Sequence, residues 1–87
     1  MERLRTALQD VLIEWFPVVE ASPLVNWTIG DLAIRKTSGV SVVALVRPEQ
    51  NILNPGPDHV VLAGDTIVVL GRKASVDAFR ERYRPQG

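Results

Sequence analysis

Residues 40–71 read VSVVALVRPEQNILNPGPDHVVLAGDTIVVLG. Two β-forming runs, 40–47 and 66–70, frame a segment that breaks every regular structure, Asn54-Pro55-Gly56-Pro57-Asp58. In the first run Val40, Val42, Ala44 and Val46 alternate with Ser41, Val43, Leu45 and Arg47. Both sets are mainly apolar, the pattern of a strand covered on both faces. Pro48-Glu49-Gln50-Asn51 is a turn, so the chain is expected to return at 51–54 as the second arm of a hairpin. A short strand is expected at 60–62, a turn at Ala63-Gly64-Asp65, and a strand at 66–70 that closes on Gly71. The loop prolines fix φ and lack an N–H, so the loop orders at small entropic cost and cannot be zipped into a sheet. A stiff apolar wall beside a sheet edge suits a small-molecule cleft. It equally suits a loop stiffened for stability alone.

Upstream, TIGDLAIRKTSG (28–39) has the marks of a capped helix. Thr28 is the N-cap, Asp31 follows three residues on, and Gly39 is the left-handed stop. Ile29, Leu32 and Ile34 supply its apolar side. A short first strand is expected at 18–20. Further out, ERLRTALQDVLIEW (2–15) places Leu4, Leu8, Val11, Leu12 and Trp15 on one helical stripe, with Arg3, Arg5, Asp10 and Glu14 off it. The periodicity predicts an N-terminal amphipathic helix over 1–15, ended by Pro17. Its polar face is not basic, which argues against attachment to a membrane surface. Downstream, ASVDAFRERY (74–83) sets Val76, Phe79 and Tyr83 on one side of a closing helix, with Ser75 as a candidate cap. Residues 85–87 are a tail.

The chain has 87 residues, ten basic and ten acidic, and no net charge. A single domain of this size hides only about 60–65% of its chain surface on folding. Its core is thin, and a second copy or a partner is expected to cover more. Zero net charge gives no global attraction to nucleic acid or anionic lipid. With no cysteine there is no disulfide, thiol chemistry or cysteine-based metal site. No run approaches the ~20 apolar residues of a membrane span, and a soluble cytoplasmic protein is the expectation.

Catalysis needs a convergent set of acid, base, nucleophile or metal ligands. The one imidazole, His59, lies in the proline loop and reads as a loop residue. Asp31 is explained by the helix start, Asp65 by its turn, and Asp58 by bonding to nearby loop amides. The glycines are too scattered to cradle a phosphate. Arg72, Lys73, Arg80, Arg82 and Arg84 lack interleaved stacking aromatics and are mixed with Asp77 and Glu81. They read as a solvated helix face, not as a nucleic-acid surface. No enzyme, metal or cofactor is expected.

An ordered series of short marks runs through the chain: Ser22-Pro23-Leu24-Val25, Leu32, Arg35, Gly39-Val40, Val42-Val43-Ala44-Leu45, Arg47, Pro55, Pro57, Leu62, Gly64-Asp65 and Gly71. In order and spacing it resembles the C-terminal domain of the RCK family (regulator of conductance of potassium), also called TrkA-C. The resemblance covers about 60 of the 87 residues. Asn26-Trp27 departs from it, standing where the family usually has a glycine and a small or basic residue.

The resemblance implies an α+β fold, a small mixed or antiparallel sheet flanked by helices, over 16–84, with the N-terminal helix as an addition. It implies a homodimer that serves a membrane cation channel or transporter, in the cytoplasm or at the inner face of the membrane. It also implies a regulatory ligand, cyclic di-AMP, for some members, bound between two domains. The family's positions map onto Ile29, Arg35, Ser41 and Pro57. Arg35 would pair with phosphate, Ile29 and Pro57 would sandwich adenine, and Ser41 would offer a hydrogen bond. Binding members tend to carry a larger polar group at the position of Ser41, and some have histidine at that of Gln50. The alternative is a purely structural dimerisation module that binds nothing small. No nucleic-acid polymer and no insertion into the membrane are implied.

Overall fold

The computed structural model describes residues 10–85. The strands are β1 (Val11–Pro17), β2 (Ser41–Arg47), β3 (Gln50–Leu53) and β4 (Thr66–Arg72). The helices are α1 (Ile29–Leu32), α2 (Ile34–Ser38) and α3 (Lys73–Arg82). All strand pairs are antiparallel, in the order β1-β4-β2-β3. The α+β class with a small flanked sheet is therefore the observed one.

β4 is one of the two inner strands of the sheet, and its composition, Thr66-Ile67-Val68-Val69-Leu70, is strongly β-forming. Its inner face presents Ile67 and Val69, both fully buried. They pack with Leu45 of β2, Ile34 of α2, and Val76 and Phe79 of α3. Phe79 stacks obliquely on Phe16 and Tyr83, with ring centroids 5.1 and 5.0 Å apart. Register puts Phe16, Ile67, Leu45 and Ile52 in one row across this face. The opposite face carries the row Trp15, Val68, Ala44 and Leu53, of which Trp15 is 61% and Leu53 73% exposed.

The expected N-terminal helix is overturned where it can be seen. Residues 11–15 belong to β1, pairing from Val11↔Arg72 to Pro17↔Thr66, while 1–9 lie outside the described residues. The same residues satisfy both periods: Leu12, Glu14 and Phe16 face the helices, while Ile13 and Trp15 face away. Tertiary pairing decides, because a bare edge on β4 would leave buried backbone groups unpaired. Pro17 is tolerated at the end of an edge strand. β1 also runs continuously across the boundary expected at residue 16. The strand expected at 18–20 is a turn instead, with Ser22 N–H donating to Val19 O at 2.9 Å.

Three further expectations change. Strand β2 carries a bulge: Val42 pairs with Val69 and Ala44 with Val68, so Val43 is the extra residue. Val42 thereby joins Leu45 on the inner face, and strict alternation fails. The segment 60–62 forms one bridge, Thr28↔Val60, and not a strand. The helix expected over 28–38 is two short helices broken at Ala33. Helix α3 starts after Arg72 without a side-chain cap, and Ser75 packs beside Gly39. Among the described residues no helix is long and apolar enough to cross a membrane.

Asp65 is more than a turn residue. Its carboxylate, 3% exposed, accepts from Arg47 Nε at 2.8 Å, from Arg47 Nη2 at 3.2 Å and from Leu62 N–H at 2.9 Å. Arg47 also donates to Val60 O at 2.6 Å. One ion pair thus ties the segment after the proline loop to the end of β2.

Candidate functional site

An open cleft of about 390 Å³ lies where α1, α2 and the start of β2 meet. Ile29, Gly30, Ala33, Ile34, Arg35, Lys36, Ser41 and Val42 line it. Its shape begins with a cap. Thr28 Oγ1 accepts the Asp31 N–H at 3.0 Å, satisfying a free donor of the first turn. The proline loop is latched onto that same turn. Gly30 N–H donates to Pro57 O at 3.0 Å and Ile29 N–H to His59 O at 2.9 Å. A Cβ on Gly30 would stand 2.9 Å from Pro57 Cβ, so only glycine allows the approach. His59 in turn shapes the loop, its Nδ1 accepting from Gly56 N–H at 3.0 Å.

The break at Ala33 gives the cleft its second wall. Ala33 is left-handed, at φ 47 and ψ 45, a conformation that costs an L-residue with a Cβ about 1–2 kcal/mol. Its N–H still donates to Gly30 O at 3.2 Å, and Thr37 N–H reaches back to Ala33 O at 2.9 Å. The chain therefore ends α1 and starts α2 with no intervening loop. Arg35 and Lys36 sit on this second helix, both exposed, and neither forms an ion pair among the described residues. The lining holds no carboxylate. The contents are two cations, a hydroxyl and an apolar floor of Ile29, Ile34 and Val42, a set suited to an anion with an apolar body.

Of the residues singled out from the sequence, Ile29, Arg35 and Ser41 line this cleft. Pro57 stands behind Gly30 and meets the cleft through the backbone contact just described. The structure thus brings together residues up to 28 positions apart in sequence, from Ile29 to Pro57. Gly30, Ala33, Ile34, Lys36 and Val42 were missed. Lys36 was legible as the neighbour of Arg35. Val42 was hidden by the bulge, and nothing about an alanine announces a left-handed break.

Three basic residues of the closing segment, Lys73, Arg80 and Arg84, are otherwise engaged. Arg80 bridges Glu14 at 3.1 Å and Asp77 at 2.9 Å, with its guanidinium 5.3 Å from the Phe16 ring centroid. Lys73 pairs with Asp77 at 3.0 Å and Arg84 with Glu81 at 2.5 Å. Hydrogen bonding from Lys73, supported by Arg80, holds the Asp77 carboxyl below its ordinary value.

The TrkA-C domain family matches over residues 13–84. The chain belongs to the TrkA-C domain family. Its K(+)/H(+) antiporter relative in Bacillus subtilis (strain 168), subunit KhtT, is 34% identical over 74 residues, 84% of this chain and 45% of that protein. The TrkA-C domain described here spans about half the length of the curated relatives it matches. Among solved structures, the RCK_C domain dimer of S. agalactiae BusR in complex with c-di-AMP superposes with a TM-score of 0.72 at 26% identity. The superposition covers 79% of this chain and 91% of that one. The RCK C domain of the potassium transport protein KtrA, also in complex with cyclic diadenosine monophosphate, gives a TM-score of 0.77. At 21% identity, covering 93% of both chains, it speaks for the fold. BusR has further been solved with its promoter DNA, and this chain covers 46% of that protein at 24% identity with a TM-score of 0.73.

Proposed function

We propose that this TrkA-C domain is a homodimeric regulatory module of a potassium or other cation transport system, and that its cleft takes cyclic di-AMP. The observation that carries the reading is the cleft itself: a guanidinium and a hydroxyl over an apolar floor, with no carboxylate. The cleft is open, so it becomes an enclosed site only when something faces it, and a second copy supplies an identical half. Two such halves match a ligand made of two identical nucleotide units. Arg35 pairs with phosphate through its planar fork. Ile29, with Pro57 behind the helix turn, meets adenine, and Ser41 offers a hydrogen bond. The domain acts without catalysis, in the cytoplasm, against the cytoplasmic side of its transporter. It contacts no nucleic-acid polymer.

A second reading has its own observation. The outward sheet face exposes Ile13, Trp15 and Leu53, enough apolar surface for a structural module that holds a partner and binds nothing small.

A thermal melt with and without cyclic di-AMP separates the two. Ligand at about 100 times its dissociation constant stabilises a single-site protein by roughly 2.7 kcal/mol, and each kcal/mol moves the midpoint by about 4–8 °C at this size. A rise above ten degrees, lost in Arg35→Ala, supports the ligand site. No rise in the parent, or an equal rise in the variant, removes it and leaves the structural module. Light scattering at micromolar concentration should report twice the 9.6 kDa chain mass; a clean monomer removes the paired cleft.

A further inference from the structure

We infer that Lys36 is a second phosphate-binding side chain of the cleft, so that each phosphate is held between the Arg35 guanidinium and the Lys36 ammonium of one subunit. The inference rests on reading the cleft as a phosphodiester site and adds a residue, and a selectivity, to it.

Consecutive side chains leave a helix about 100° apart and do not normally face one target. Arg35 and Lys36 nevertheless border the same cleft. They therefore reach its contents from two sides. Both stand in the last turn of the short helix α2, which begins directly after the left-handed Ala33. Neither has a counter-charge among the described residues, whereas Lys73, Arg80 and Arg84 of the closing segment all do. Asp31, the acid nearest in sequence, is on α1 and does not line the cleft. Two neighbouring cations with no carboxylate between them repel each other, and an anion arriving between them relieves that repulsion. The division of labour follows from their chemistry: the planar fork of Arg35 takes two phosphate oxygens, and the compact ammonium of Lys36 takes another from the side. A ligand with two phosphates, one for each subunit of a dimer, uses both pairs, and a nucleoside monophosphate uses one. Selection for a two-phosphate ligand is the consequence.

Isothermal titration with cyclic di-AMP and with AMP tests this, using the parent, Lys36→Ala, Lys36→Arg, Arg35→Ala and, as a control, Arg82→Ala, at low and high potassium chloride. Lys36→Ala is expected to melt at the parent temperature without ligand and to bind cyclic di-AMP at least about tenfold more weakly. Its affinity should also fall less with salt, since a screened cation has been removed. Lys36→Arg should restore most of both properties, Arg82→Ala should change neither, and AMP should bind the parent far more weakly than cyclic di-AMP. If Lys36→Ala keeps the parent affinity and salt dependence while Arg35→Ala loses binding, Lys36 is a bystander and the proposed function stands. If the parent binds no cyclic di-AMP, the proposed function fails and this inference fails with it.

Discussion

The Asp65 carboxylate and the Arg47 guanidinium meet side-on, Nε to Oδ1 at 2.8 Å and Nη2 to Oδ2 at 3.2 Å, with Asp65 buried and Arg47 23% exposed. The acid's remaining capacity is taken by the Leu62 N–H, and the arginine's by Val60 O. No buried side-chain polar atom is left without a partner among the described residues. Such a pair fixes geometry more than it adds net stability, because burying two charges offsets most of their attraction.

Removing one partner of this pair is therefore expected to be costly. Asp65→Ala should lose about 3–5 kcal/mol in urea unfolding, because it leaves a partly buried guanidinium uncompensated. The double variant Arg47→Met with Asp65→Leu should lose clearly less than Asp65→Ala alone. Equal losses would mean that the carboxylate acts by space-filling and not by charge.

Ala33 and Ala78 should respond to glycine with opposite signs. Ala78 is an exposed interior position of α3, where Ala→Gly costs about 1 kcal/mol. Ala33 sits at φ 47, where glycine relieves strain of about 1–2 kcal/mol. Ala33→Gly should raise the melting temperature or leave it unchanged, and Ala78→Gly should lower it. A matched fall in both would show that Ala33 is ordinary helix in solution.

The latch between Gly30 and Pro57 predicts a local effect. Gly30→Ala places a methyl within 2.9 Å of Pro57 Cβ, a ring carbon that cannot rotate away. An overpacking cost of about 1–3 kcal/mol is expected, with faster hydrogen exchange at Ile29 and residue 30. Unchanged exchange at both amides would mean that the loop moves aside freely.

The Asp77 carboxyl titrates below its ordinary value because Lys73 and then Arg80 bond its charged form. Its folded value is depressed, so the contribution is present above the unfolded carboxylate value and disappears as pH falls through the folded one. An NMR titration should place its midpoint below the ordinary aspartate value, and Lys73→Met should move it up. The group is exposed, so the effect on stability should be small and should shrink further with salt. A midpoint at or above the ordinary value would show that the Lys73 contact does not persist in solution.

Much of this protein was written in local sequence. The Thr28 cap, the Gly39 stop, the hairpin at Pro48-Glu49 and the β4 run each depend on the nearby chain, and short-range sterics and hydrogen bonding are enough to specify them. The order of the short marks from Ser22 to Gly71 likewise carried the resemblance to the family, and three of the four residues singled out from it stand in the cleft. Tertiary structure decided the rest. Residues 11–15 fit a helical stripe and a strand equally well, and only the open edge of β4 chose between them. The bulge at Val43 turned Val42 inward because β2 must keep register with β4 at both ends. Asp65 and Arg47 found each other across 18 residues, and Lys36 came to border one cleft with Ile29 and Ser41. Each of these depends on where distant backbone and buried surface end up, a free energy that no local window of residues contains.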